Sequence, residues 1–480
     1  MLFNSFAFLV FFPVVTLLYF LLPKKSRWSM LLIASCVFYM FFIPSYILIL
    51  IFTIIIDYFA GLWIEKAENK NRKLFLILSI AANIGVLSVF KYYNFFAGNI
   101  EGIASLLGMK VNIPMLNMIL PIGLSFHTFQ AMSYTIEVYR RNQKAERNFL
   151  LYALYVMFYP QLVAGPIERP QNLLHQFREE HPFDYDRVVS GLKLMLWGLF
   201  KKVVIADRLG AFVSNIFDYP QQHTGEALTY WMAIFFFAWQ LYCDFSGYSD
   251  IAIGAARVMG IKLMTNFQRP YLSKSIGEIW QRWHISLTSW FMDYVFRPLG
   301  GYRLGRNRGA INLMFVYFLS GLWHGAAWTF MLCFVLFGFQ LVFRLYFKKQ
   351  INFLYGIFET KKKNSRWNTI FQTAVSFILI CIPFTFFRAH SFSDALFMLK
   401  SLFVFSSLKI SIGATDTFIY SLIGIFILYA VEIYQEYYSH SNDLPEPKVK
   451  WQKFLFFACI IIYILLTGVF DSSQFIYFQF

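Results

Sequence analysis

Charge is scarce in this chain. Asp, Glu, Lys and Arg make up 14% of its 480 residues, against roughly 25% in soluble domains. No polar stretch is long enough to fold by itself, which excludes a string of soluble domains. The five cysteines, Cys36, Cys243, Cys333, Cys381 and Cys459, lie in apolar segments without CxxC spacing. That excludes a zinc ribbon or a redox dithiol and leaves packing as their expected role. HExxH and close carboxylate–histidine sets are missing, so no metal site is expected. A GxSxG elbow is missing too, which excludes an α/β-hydrolase nucleophile. No internal repeat is visible, which argues against an inverted-repeat transporter. The apolar run Phe6 to Leu22 has no basic residue before it and no small-x-small site after it. It therefore reads as a first span and not as a cleaved signal.

What the chain has is apolar surface. Fully 58% of residues are hydrophobic, and Phe alone occurs 59 times. A soluble fold of this size cannot hide that much, whereas lipid tails solvate it. Apolar stretches recur at about 3–22, 28–43, 46–64, 74–96, 116–138, 149–164, 190–206, 228–243, 310–325, 326–347, 370–387, 416–434 and 453–470. Several are shorter than the roughly 20 residues of a perpendicular span. The expected fold is all-α and polytopic, with about eleven transmembrane helices and some re-entrant or interfacial ones.

The net charge of +16 comes from 42 Lys and Arg against 26 Asp and Glu. No nucleic-acid recognition motif accompanies it, so anionic lipid and the positive-inside rule explain it better. With the N-terminus outside, the loops at 24–27, 65–73 and 140–147 fall inside. These hold Lys24, Lys25, Arg27, Lys66, Lys70, Arg72, Lys73, Arg140, Arg141, Lys144 and Arg147. The alternate loops at 43–45 and 97–115 carry only Lys110 and Glu101. An extracytoplasmic N-terminus is therefore expected.

Residues 160–330 differ from plain spans. They are dense in Gly, Pro, Trp, His and charge, as in Gln161-Leu-Val-Ala-Gly165-Pro166, Asp244-Phe-Ser-Gly-Tyr-Ser-Asp250 and Arg297-Pro-Leu-Gly-Gly301. Broken backbone at membrane depth survives only against protein or water, and ionisable residues there are functional candidates. Two constellations stand out. In Ile279-Trp-Gln-Arg-Trp-His284-Ile-Ser-Leu-Thr-Ser-Trp-Phe-Met-Asp293-Tyr, helical spacing puts His284, Leu287, Phe291 and Tyr294 on one face. It puts Trp283, Ser286, Trp290 and Asp293 on the next, with Asp293 one turn from Arg297. An interfacial helix with Trp and Tyr at the headgroups explains this pattern equally well. In Leu319-Ser-Gly-Leu-Trp323-His324-Gly-Ala-Ala-Trp328, a histidine precedes three small residues. A buried histidine bonded to a neighbouring carbonyl, with small residues for packing, is the competing explanation. An imidazole near its ordinary pKa can take a proton from a hydroxyl, as acyl transfer from a thioester requires. Ser320 lies one turn before His324. His181 and Asp186 have His-x4-Asp acyltransferase spacing, but the segment is a polar loop and the spacing is common by chance.

These segments resemble the membrane-bound O-acyltransferase family, and within it the bacterial alginate O-acetylation branch. The pieces are Leu120-Pro-Ile-Gly-Leu-Ser-Phe126, Phe158-Tyr-Pro-Gln-Leu-Val-Ala-Gly-Pro166, Gly198-Leu-Phe-Lys-Lys202, Asp244 to Asp250, Trp280 to Gly301, Ser320-Gly-Leu-Trp-His-Gly325 and Phe475-Ile-Tyr-Phe-Gln-Phe480. They run nearly end to end and in order. The resemblance implies one membrane domain over 1–480: N-terminal spans to 148, a core at 149–347, and C-terminal spans at 348–480. It implies a ring of tilted helices with funnels from both faces. It implies His324 as the catalytic histidine and His284 as a second one nearer the cytoplasm, with Trp323, Ser320, Asp293 and Trp283 in support.

The reaction implied is transfer of an acyl group, usually acetyl, from a cytoplasmic thioester such as acetyl-CoA, with no bound cofactor. The partners implied are membrane lipid and an extracytoplasmic acetyltransferase acting on an alginate-like polysaccharide. The place implied is the bacterial inner membrane. Two departures leave the acceptor open: Phe337-Gly338 stands where relatives carry His-Gly, and His127 stands where an aromatic residue is expected. A teichoic-acid, lipid or D-alanyl transferase and a transporter or flippase are the alternatives.

Overall fold

Apolar faces that point outward decide how this chain folds, because they need lipid and not water. The computed structural model describes residues 1–358, 365–411, 414–439, 443–470 and 475–476. Among the described residues every regular element is a helix, and a single isolated bridge pairs Glu226 with Phe405. The chain groups into two compact units, residues 1–195 with 249–264 and residues 196–248 with 265–480.

The first unit is built on α1 (Phe6–Leu21), α2 (Lys24–Met40), α3 (Ile47–Lys66), α4 (Asn69–Leu87), α5 (Tyr93–Leu106), α6 (Leu124–Tyr139) and α7 (Phe149–Met157). α3 shows the logic. Leu48, Phe52, Ile55, Phe59 and Trp63 are exposed, while Leu50, Ile54, Asp57, Gly61 and Ile64 are buried. Both faces are apolar, as for a helix with lipid on one side and protein on the other. α3, α4 and α6 pack together around one polar knot. Ser79 Oγ donates to Asp57 Oδ1 at 2.6 Å, and Asn83 Nδ2 donates to both carboxylate oxygens at 2.9 Å. All three residues are fully buried. Buried polar groups of this kind join helices that have no hydrophobic drive to associate within lipid.

Six stretches are long and apolar enough to cross a bilayer among the described residues: Pro44–Lys66, Lys70–Leu106, Trp328–Tyr346, Arg366–Arg388, Thr415–Ser439 and Lys450–Thr467. α1 is apolar but shorter. The expected count of about eleven is not reached by this measure. Part of the difference is length, since α2 has 17 residues and α6 has 16. α6 is buried along nearly its whole length and α7 is nine residues long and buried from Leu151 onward. Their apolarity serves a protein interior as much as lipid.

The expected break at Asp244–Asp250 is not there. Those residues lie inside one uninterrupted helix, α8 (Ala227–Val258). Gly247 is needed for close approach and not for a bend: a Cβ there would lie 2.7 Å from the Gly198 carbonyl oxygen. Asp244 is buried for a reason as well. Lys202 Nζ bridges Asp207 at 2.7 Å and Asp244 at 2.8 Å, and Asp244 Oδ2 accepts from the Ile476 N–H at 2.7 Å. Phe475 packs on Tyr248 at 4.9 Å. Three distant motifs thus meet, although Tyr477 to Phe480 lie outside the described residues.

Asp57→Ala strips the acceptor from Ser79 and Asn83 and should lower stability by about 1–3 kcal/mol. The unfolding midpoint in detergent, read by size-exclusion chromatography, checks this against the lipid-facing control Leu48→Ala, which should change little.

Candidate active site

The histidine segments occupy the irregular part of the second unit. α9 (Ile276–Arg282) and α10 (Ile285–Phe291) are short, and α11 (Arg306–His324) folds back through Gly325–Ala327 onto α12 (Trp328–Tyr346). α11 can approach α12 only because position 321 is glycine. A Cβ on Gly321 would sit 2.7 Å from the Met331 Cα and 2.9 Å from the Phe330 carbonyl oxygen. A Cβ on Gly325 would overlap the Phe330 ring. The small residues after His324 therefore end one helix and seat it against the next.

His324 is the last residue of α11 and is 4% exposed. Its ring stacks on Phe334 at 4.3 Å and meets Trp323 edge-on at 4.8 Å. Phe387, on the helix Arg366–Arg388, lies 6.0 Å away. Its Nδ1 lies 2.7 Å from the Ser320 carbonyl oxygen. A carbonyl only accepts, so Nδ1 carries the hydrogen, and in the neutral ring the lone pair is on Nε2.

His284 is 1% exposed and sits in the left-handed region, with φ 44° and ψ 50°. A non-glycine residue there costs about 1–3 kcal/mol and persists only where neighbours over-determine it. The neighbours are two short chain segments that pair. Gln268 N donates to the Arg282 carbonyl and Ile285 N donates to the Asn266 carbonyl, each at 2.9 Å. The His284 ring stands edge-on to Phe245 at 4.5 Å and perpendicular to His324 at 6.4 Å. Burial, and secondarily the nearby His324, holds His284 well below the ordinary imidazole range, so the neutral ring is favoured.

Both rings line a cavity of about 500 Å³. Its walls are largely apolar, with Trp280, Leu287, Leu313, Val316 and Tyr317 prominent. It extends from the two buried histidines to Arg344 and the exposed Lys348. Two buried imidazoles and two cations on one apolar cavity suit a long uncharged arm that ends in an anion.

Comparison with known proteins bears on what such a slot is for. The family model of MBOAT, the membrane-bound O-acyltransferase family, matches residues 140–387. The chain is 34% identical to a protein of Pseudomonas aeruginosa named as a probable alginate O-acetylase, over 93% of this chain and 84% of that one. This chain belongs to the membrane-bound O-acyltransferase family. It is a multi-pass membrane acyltransferase. Other relatives include the peptidoglycan O-acetyltransferase of Helicobacter pylori, 34% identical over 84% of this chain and 80% of that one. The teichoic acid D-alanyltransferase of Bacillus subtilis is 27% identical over 58% of this chain and 71% of that one.

The structure brings most of the candidate residues of this acyltransferase together. His284, His324, Ser320 and Trp283 line the cavity, and Trp323 packs on both imidazoles, at 4.8 and 6.1 Å. Asp293 is elsewhere: it pairs with Arg297 at 2.6 Å, as its spacing predicted, and does not line the cavity. His284 lies outside the helix, which starts at Ile285, yet Leu287 and Phe291 line the cavity beside it; Tyr294 does not. The competing explanation for His324 is correct about the carbonyl bond, and that same bond leaves the lone pair on Nε2. His181 bonds the Gln176 carbonyl at 2.9 Å, while Asp186 opens the helix Tyr185–Leu199. Sequence reasoning missed Asn266, Phe334, Phe387, Arg344 and Lys348. Only Arg344 and Lys348 had a signal, two cations one turn apart at the end of an apolar helix.

Gly321→Ala should push α11 off α12 and misplace His324, with a loss of about 1–3 kcal/mol in stability and of acyl-transfer activity. Gly102→Ala, where a Cβ meets nothing within 4 Å, should leave both unchanged in the same thermal and activity assays.

Proposed function

We propose that this acyltransferase moves an acetyl group from a cytoplasmic phosphopantetheine thioester, such as acetyl-CoA, toward a hydroxyl of an extracytoplasmic polysaccharide. It works in the bacterial inner membrane with its N-terminus outside, beside an extracytoplasmic acetyltransferase that completes the ester on an alginate-like chain. One observation carries the reading: His324, buried and with Nδ1 held by an acceptor, lines an apolar cavity that Arg344 and the exposed Lys348 also line. The names of the relatives, alginate O-acetylase and peptidoglycan O-acetyltransferase, support acetyl and polysaccharide as the two substrates.

The chemistry follows from the tautomer. His324 Nε2 takes the proton of the hydroxyl that first receives the acetyl group, before the partner passes it to the polysaccharide, as that oxygen attacks the thioester carbonyl carbon. The tetrahedral adduct collapses, the carbon–sulfur bond breaks, and the imidazolium returns its proton to the leaving thiolate. His284 is the second base of the pair. Apolar walls exclude the water that would hydrolyse the thioester. Trp323 and Phe334 fix the His324 ring, and Arg344 with Lys348 meets the donor's phosphate.

His324→Ala should abolish acetyl transfer while leaving protein abundance and membrane insertion intact. Ester analysis of envelope polymers from cells carrying that variant reads acetate and D-alanine separately. Unchanged acetate would sink the reading, and a loss of D-alanine instead would move it to the teichoic-acid alternative. The pair Arg344→Gln and Lys348→Gln should raise KM for acetyl-CoA by roughly tenfold with little change in kcat, since charge-assisted contacts to an anion contribute about 1.5–3 kcal/mol each at most.

A further inference from the structure

We infer that Asn266 is the positioning residue of His284: its side-chain oxygen sets the tautomer and the aim of that ring. The inference rests on the reading of His284 as a member of the reacting pair.

Asn266 is fully buried. Its Oδ1 lies 3.3 Å from Ser286 N, 2.9 Å from Ser286 Oγ and 3.2 Å from His284 Nδ1. The first contact settles the amide's orientation. A backbone N–H can only donate, so the atom it meets is the amide oxygen and not the nitrogen. The same oxygen then decides the histidine. It cannot donate, so Nδ1 must bring the hydrogen, and the neutral ring keeps its lone pair on Nε2. This is the state that the Ser320 carbonyl imposes on His324. Two unrelated acceptors, one a side chain and one a main-chain carbonyl, therefore prepare two imidazoles in the same tautomer on one cavity.

Asn266 also grips the turn from its backbone, because its carbonyl accepts from Ile285 N at 2.9 Å. The left-handed residue His284 is thus held from both sides. A second layer keeps the two segments together. Glu436 accepts from Arg269 Nε and from Arg282 Nη2, each at 2.8 Å, one arginine from each segment. Arg282 also pairs with Glu278 at 2.7 Å. The Phe245 ring at 4.5 Å and the Phe267 ring at 6.2 Å pack against the imidazole, which Trp323 and His324 also adjoin.

A role limited to shaping the turn makes different predictions from a role on the ring, and three variants separate them. Asn266→Ala removes the acceptor. Asn266→Asp keeps an acceptor but places a carboxylate beside Nδ1. Ser286→Ala removes one bond to the same oxygen and leaves the histidine's partner in place. The full chain, labelled with 15N-histidine in lipid nanodiscs, is read by solid-state NMR, with His284 assigned by its loss in His284→Gln. The expected wild-type signal is protonated Nδ1 and unprotonated Nε2, retained in Ser286→Ala and mixed in Asn266→Ala.

Acetyl turnover from acetyl-CoA gives the second readout. Asn266→Ala should lower kcat about 10- to 100-fold, the rate equivalent of removing one buried hydrogen-bond partner of a working ring, with KM within about twofold. Asn266→Asp should restore most of kcat. A carboxylate favours the imidazolium, so the neutral form appears only at higher pH, and the acid limb of the profile should move up by about one unit or more. A wild-type Nε2–H tautomer, an unchanged tautomer in Asn266→Ala, or an unmoved acid limb in an active Asn266→Asp would overturn the inference. The NMR arm needs no donor, so it can fail or succeed independently of the acetyl-transfer reading.

Discussion

The approach of α11 to α12 at Gly321 governs the rest of the site. With no Cβ at that position, the Phe330–Met331 backbone can close on α11. The closure brings Phe334 under the His324 ring and holds the end of α11 against the turn at Gly325. A helix that ended elsewhere would present His324 to lipid or to solvent. Here its Nδ1 falls on the Ser320 carbonyl one turn back. The basic atom of the ring is chosen by helix geometry, before any substrate arrives.

The surrounding lipid imposes the opposite requirement. Helices such as α3 present apolar side chains outward, so polar residues inside must be paired within the protein. Two buried clusters meet that requirement: Asp57 with Ser79 and Asn83 in the first unit, and Lys202 with Asp207 and Asp244 in the second. Neither lines the cavity. They hold elements together where hydrophobic association is weak.

The chain's fold class was readable because lipid solvation leaves a compositional mark, and the two histidines stood out as candidates because ionisable groups in apolar stretches are costly. Boundaries were harder. Asp244–Asp250 looked like a break because Gly and Asp rarely share a helix interior. The structure keeps the helix by giving Asp244 to Lys202 and Gly247 to a close contact. α6 and α7 looked like spans because a buried helix and a lipid-facing helix are equally apolar. Asn266 was invisible, since it is 18 residues before His284 and only the pairing of two irregular segments brings them together. Asp293 was readable as a partner of Arg297, and it lies off the helix face that Leu287 and Phe291 turn to the cavity.

The central claim is that one cavity takes the thioester arm and delivers its carbonyl to the histidine pair. The most direct measurement is a structure of the chain in lipid with a ketone analogue of acetyl-CoA, in which a methylene replaces the reactive sulfur. The account predicts the ketone carbonyl beside His324, the pantetheine arm along Trp280, Leu287 and Tyr317, and the phosphate near Arg344 and Lys348. An analogue bound elsewhere, with this cavity filled by lipid or water, would contradict it.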